Sequence, residues 1–159
     1  MAEQGDIERV WKLTKKIGIC MLASHDGRLI RGRPMAAHVD REENCIYFLT
    51  DADSHKDEEI ERDPTVALFF ADTSGQNYVA LSGDAVVSND RAKIKELWST
   101  PAKAWWDDPE DPSIRVLKVT PRDAQYWDGP GTIAAYAKMA TAAMTSGTPD
   151  MGDHAKVRM

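Results

Sequence analysis

The sequence predicts a mainly β domain of six antiparallel strands with a few flanking α-helices. Short runs of β-branched and aromatic residues recur at close spacing, and turn-forming residues separate them. Only a few segments carry a helical period. With 159 residues, 42% hydrophobic and 29% charged, the chain has the size and composition of one soluble globular domain.

Ile7, Val10, Trp11, Thr14 and Ile17 recur at helical spacing and predict an amphipathic N-terminal helix that breaks at Gly18. Ile19–Ser24 reads as a strand, His25–Arg28 as a hairpin turn, and Leu29–Val39 as the partner strand. After a turn at Asp40–Asn44, Cys45–Thr50 is rich in strand formers. A short polar helix fits Ser54–Arg62 and stops before Pro64. Thr65–Ala71 and Tyr78–Ser88 form a hairpin around 73–77. Asp90 caps a helix whose buried face carries Ile94, Leu97 and Trp98. Pro101–Trp106 leads into a Pro- and Asp-rich loop, and Ile114–Thr120 alternates as the sixth strand. Gly129–Gly131 precedes an Ala- and Met-rich helix, Thr132–Met144. The domain is expected to span 1–145, with a disordered tail over 146–159 where apolar content is low. This periodicity suits a barrel and a sandwich equally.

Several function classes are excluded on composition. A net charge of −6 does not suit a nucleic-acid binder. No apolar run reaches membrane-spanning length, and the polar first residues do not form a signal peptide. Cys20 and Cys45 lie in apolar strand-like runs without metal-ligand spacing, so buried inert thiols in a reducing cytoplasm are expected. The four histidines show no paired ligand spacing, and no metal is expected. Neither an acid–base pair, a nucleophile elbow, a phosphate-binding P-loop nor a dinucleotide fingerprint is present. No catalytic side chain is assigned, and any chemistry belongs to a bound cofactor.

The segment from Tyr47 to Lys56 carries the clearest signal. A strand ends at Thr50 and a helix begins at Ser54, with Asp57 in capping-box spacing. Unpaired N–H groups at a helix start suit an anion, and Ser54, His55 and Lys56 add polar and cationic groups there. A capping box is common, so a plain helix start fits these residues as well. Arg33, inside a predicted strand, calls for an anionic partner or a solvated face. A guanidinium recognises phosphate bidentately, and Pro34 beside it implies a sheet edge or a bulge, which would let Arg33 and His38, of different strand parity, face the same site. Arg28, Arg31 and Arg33 lie close together, which fits either a small anionic ligand or a solvated strand face. Trp105 and Trp106 precede an Asp/Pro loop, so at least one should reach the surface, as at a partner interface or a planar ligand.

Together these segments resemble the pyridoxamine 5′-phosphate oxidase-like superfamily of FMN-binding split barrels, in its general stress protein 26-like branch. The resemblance runs from about Ile7 to Gly131. It rests on Gly32-Arg-Pro-Met35, Phe48-Leu-Thr50, Asp53-Ser-His-Lys56, Ile60, Asp63-Pro64, Tyr78-Val, Leu81-Ser-Gly83, Ala104-Trp-Trp106 and Tyr126-Trp-Asp-Gly-Pro130. It implies a six-stranded antiparallel split β-barrel that works as a homodimer. FMN would be held by its phosphate at Arg33, Ser54, His55 and Lys56, with Thr50 near the ribityl chain or flavin edge. Pro34 and Met35 would lie along the ring, Tyr78 belongs with the cofactor-binding positions, and Trp105 and Trp106 would come from the other subunit. The implied function is FMN-dependent oxidoreduction of the general stress protein type, with the electron donor and acceptor left open by the motifs. Non-catalytic flavin storage or sensing is the alternative. A pocket for deazaflavin or haem, with His38 as an iron ligand, is a third. Ser54-His55-Lys56 stands where true pyridoxamine phosphate oxidases have Ser-Arg-Lys. Those enzymes also carry a C-terminal arginine/histidine motif, and the tail 154–159 reads as having no strand to present one, so the vitamin B6 reaction is not expected.

Overall fold

Alternating apolar and polar residues in the strand segments build one antiparallel sheet that curls into a half-barrel. The computed structural model describes residues 2–53, 55–129, 132–145 and 152–159, with the backbone alone at 55–57 and at some other helix positions. In chain order the elements are α1 (Ala2–Ile17), β1 (Ile19–His25), β2 (Ile30–Ala36), β3 (His38–Asp40), β4 (Cys45–Asp51) and α2 (His55–Arg62). There follow β5 (Thr65–Asp72), β6 (Asn77–Ser88), α3 (Arg91–Leu97), a 3₁₀ turn (Thr100–Ala104), β7 (Ile114–Asp128), α4 (Thr132–Thr145) and β8 (Asp153–Arg158). The order across the sheet is β2-β1-β5-β6-β7-β4-β3, with β8 also on β7.

The strand expected over Leu29–Val39 is two strands, because Ala37 interrupts it. β2 pairs with β1 at one end of the sheet, and β3 pairs with β4 at the other. This one stretch of chain therefore closes the curl. Pro34 sits on the end strand β2, where its missing N–H costs no ladder bond to a further neighbour.

The sixth strand also runs further than expected, from Ile114 to Asp128, straight through Pro121. Pro121 faces Gly83, and the register shifts between Ser82 and Gly83, so a bulge absorbs the proline and Arg122. A Cβ on Gly83 would lie 2.5 Å from the Thr120 carbonyl oxygen, which explains glycine there. The extra length of β7 gives β8 a partner: β4 pairs along Ile114–Val119 and β8 along Asp123–Asp128. β8 corrects two expectations. The tail is not disordered over Asp153–Arg158, and the C-terminus does present a strand. Its inward positions are Ala155, Val157 and then Met159, with His154, Lys156 and Arg158 exposed. One ground for not expecting the vitamin B6 reaction thus falls. Among the described residues the strand count rises from six to eight, because Ala37 divides one expected strand and β8 adds another. Residues 146–151 lie outside the described residues.

Leu22, Leu68, Leu81, Phe48, Phe70, Leu117 and Tyr126 fill the inside of the half-barrel, and α1 covers it with Val10, Trp11 and Leu13. Gly18 ends α1 in the left-handed region (φ 77°), and its N–H donates to the Thr14 carbonyl. β4 is buried on both faces. Ile46 and Phe48 point into the barrel, while Cys45 and Tyr47 join Ile94, Ile114 and Val116 in a second core under α3. Asp90 caps α3 as expected, accepting from the Lys93 N–H. Trp98 and Trp106 pack against this second core.

Both cysteines are buried, as expected. Burial pushes the Cys20 thiol up to about 12, and raises that of Cys45 as well. The folded state keeps a proton that the unfolded chain releases, so this contribution to stability is present at neutral pH and is lost at alkaline pH, above the unfolded thiol's value. At pH 8 neither thiol should react with a disulfide reagent until the chain unfolds, and labelling should follow the unfolding curve in urea. Fast labelling of native protein would contradict the burial.

Candidate functional site

A cleft of about 310 Å³ opens where the β2–β3 bend meets the end of β4 and the segment after α3. The bend supplies Pro34, Met35, Ala36 and His38. The end of β4 supplies Leu49, Thr50 and Asp51, and the 3₁₀ segment supplies Ser99, Pro101, Ala102, Trp105 and Trp106. The wall is mostly apolar, with a few polar groups among its residues, the usual make-up of a small-molecule site.

Local interactions hold each side. Asp51 accepts from the Asp53 N–H at 2.9 Å, and the Ala52 N–H donates to the Ser113 carbonyl at 2.7 Å, which fixes the chain leaving β4. Pro101 starts the 3₁₀ turn, and the N–H groups of Trp105 and Trp106 both donate to the Ala102 carbonyl, at 3.0 and 3.1 Å. Beyond the tryptophans, Arg91 ties down the Asp/Pro loop. Its guanidinium donates to the carbonyls of Pro109, Asp111 and Ile114 at 3.0, 2.8 and 3.1 Å. Trp106 is half-buried against the second core, whereas Trp105 is 79% exposed on the rim.

Of the residues singled out from the sequence, Pro34, Met35, Thr50, Trp105 and Trp106 meet in this cleft. His55 and Lys56 open α2 four positions beyond Asp51, and their backbone is what the structure describes. Ser54 lies outside the described residues. Tyr78 is elsewhere, on the outer sheet face between Ala71 and Trp127. Arg33 does not line the cleft. It shares the inner face with Leu22 and Leu68, and its Nη1 donates to Ser24 Oγ at 2.9 Å. Its Nη2 lies 3.5 Å from Glu59 Oε2 on α2. Arg31 shares the same face of β2 as Arg33 and pairs with Asp26 in the hairpin turn.

His38 is the main addition to the site. The sequence raised it as a haem ligand and, through a bulge at Pro34, as a residue facing the same site as Arg33; the bend at Ala37 turns it into the cleft, which Arg33 does not line. Burial holds its imidazole below the usual histidine value, so it is neutral at pH 7. Ser99 and Ala102 were signalled only by sitting in the proline-started turn next to the tryptophans. Among the described residues, no cluster of His, Cys, Asp and Glu could hold a metal ion, and no helix is long and apolar enough to cross a membrane.

Residues 5–150 match the model of the family Pyridoxamine 5′-phosphate oxidase like. The chain belongs to that family. Within the pyridoxamine 5′-phosphate oxidase-like family, it is 32% identical over 81 residues to general stress protein 26 of Bacillus subtilis (strain 168). That match covers 49% of this chain and 58% of the relative's length. The crystal structure of a putative general stress protein 26 from Jannaschia sp. CCS1 superposes with a TM-score of 0.82 at 27% identity, covering 99% of both chains. The general stress FMN/FAD binding protein of Xanthomonas citri shares the fold, with a TM-score of 0.67 at 24% identity, over 76% of this chain and 86% of that one.

The clamp formed by Arg91 holds the Asp/Pro loop that follows the tryptophans. Arg91→Ala should cost at least about 1.5–3 kcal/mol, since charge-assisted bonds to carbonyls would be lost. The variant should also show a changed tryptophan emission spectrum in the native state. Unchanged stability in urea would show that the loop is held by something else.

Proposed function

We propose that this chain binds FMN in the cleft, as a homodimer, and acts as a flavin-dependent oxidoreductase of the general stress protein type. The observation that carries the reading is the cleft itself. Met35 and the two tryptophans offer apolar and aromatic surface for a planar ring, and Thr50 and His38 offer polar groups for its edge. The residues present fit a flavin. The lining also includes Thr50 and Asp51, which precede α2 in the chain, and the first turn of that helix would supply N–H groups suited to a phosphate. Arg33 is the remaining phosphate ligand in this reading, together with Ser54, His55 and Lys56. When bound, the flavin would supply hydride or electron transfer at its N5. The protein's own part is to fix the phosphate, hold the ring against Trp106 and limit water around it. Names of relatives support the same reading, one of them being a general stress FMN/FAD binding protein.

The dimer is supported by the outer face of the sheet. Pro34, Met21, Phe69 and Ala80 lie in one row across β2, β1, β5 and β6, with Met21 44% and Phe69 48% exposed. Such a row gains free energy when covered, at about 25 cal/mol per Å² of apolar surface. Isologous pairing through it would cover the same row on both copies.

Storage or sensing is the second reading. Among the described lining residues, the titratable groups are His38, held neutral, and Asp51, so the cleft brings few proton-transfer groups to a bound flavin. Sustained reduction of bound flavin by NADH or NADPH distinguishes the oxidoreductase from tight binding without turnover.

The protein should bind FMN more tightly than riboflavin by at least tenfold, because each charge-assisted phosphate contact is worth about 1.5–3 kcal/mol. Calorimetry giving equal affinities would remove the phosphate site. In a further test, Trp106→Ala should weaken FMN binding and raise the fluorescence of bound flavin. Trp105→Ala should do the same if the rim is completed across the dimer. A monomeric form that binds FMN as tightly as the dimer would contradict the shared site.

A further inference from the structure

Arg33, the guanidinium assigned to the flavin phosphate, already has an acidic partner inside the chain. Ser24 Oγ accepts from Arg33 Nη1 at 2.9 Å and donates to Glu59 Oε2 at 2.8 Å. The same Oε2 lies 3.5 Å from Arg33 Nη2. The three side chains close a triangle between β1, β2 and α2. Ser24 is buried, while the Arg33 and Glu59 side chains are 24% and 15% exposed.

The strength of the three links differs. A tight arginine–carboxylate pair is bidentate, with contacts near 2.7–2.9 Å. Here one carboxylate oxygen serves both partners, and its contact with Arg33 is long. Glu59 neutralises the guanidinium without saturating it. A phosphate offers a higher charge and a bidentate face to the same group, so it can take over the pairing. Glu59 then loses its cation and keeps its hydroxyl partner, close to a new negative charge. A half-buried carboxylate left in that position opposes the incoming anion.

We propose that Glu59 is the internal counter-ion of Arg33 that a flavin phosphate has to displace, and that it thereby limits the preference of the site for FMN over riboflavin. The inference rests on the reading that Arg33 binds the phosphate. It makes the site weaker for phosphate than its cations alone would make it, and suits a protein that exchanges its flavin. Glu59 acts through Arg33 and touches no ligand, so its effect should be confined to ligands that carry phosphate.

The experiment compares FMN and riboflavin affinities, by calorimetry and flavin fluorescence, in wild type, Glu59→Gln, Arg33→Ala and the double variant. Glutamine keeps the shape and still accepts from Ser24, so the fold is expected to survive. Glu59→Ala carries the same change of charge, and should shift affinity in the same direction if the amide disturbs packing. Glu59→Gln should tighten FMN binding by about tenfold, equivalent to about 1.4 kcal/mol. Riboflavin affinity should change by less than about twofold, and the gain should vanish when Arg33 is alanine. Unchanged or weakened FMN binding in Glu59→Gln, or a gain that persists without Arg33, overturns the proposal while wild-type FMN binding stands. A wild type that does not prefer FMN, joined by a Glu59→Gln variant that does not either, overturns the phosphate reading and the proposal together.

Discussion

Ile30–Asp40 has to pair with β1 at one end of the sheet and with β4 at the other, and the chain manages both by changing direction at Ala37. The Ala37 N–H donates to the Gly18 carbonyl at 2.8 Å, which anchors the corner to the end of α1. Strand twist alone would splay the outer strands of such a sheet. Holding them on one continuous segment forces the sheet to curl around Leu22, Phe48, Leu68 and Leu117. The barrel is therefore a consequence of connectivity as much as of packing.

The cleft follows from the same corner. A strand that changes partners leaves a gap between its two halves, and here the end of β4 and the Trp105–Trp106 segment border that gap. Pro34 and Met35 on the end strand and His38 just past the bend all border it, although strand parity would separate Met35 from the other two in one regular strand. Arg33 takes the opposite direction, inward to Ser24 and Glu59. Alternation along β2 thus sends Pro34 toward the cleft and Arg33 toward α2.

Local signals reached most elements and some of the site. The helical spacing of Val10, Trp11 and Thr14 and the cap at Asp90 are short-range features, and the structure contains both. An aromatic pair before an Asp/Pro loop is also local, and Trp105 is exposed on the rim. What escaped depends on distant partners. β7 runs through Pro121 only because Gly83 on another strand permits a bulge. β8 carries a short alternation, Ala155, Val157 and Met159, and it becomes a strand because the far half of β7 offers an edge. The contact of Arg33 with Glu59 joins residues 26 positions apart on different elements, beyond the reach of any motif.

Flavin in the cleft is the central claim, and the most direct measurement is the absorption spectrum of the purified protein with mass identification of what it releases on denaturation. The account predicts a flavin spectrum that is perturbed while the protein is folded, and a released molecule with the mass of FMN. A colourless protein that takes up no flavin after incubation with excess FMN, or one that releases haem or another cofactor, would contradict it.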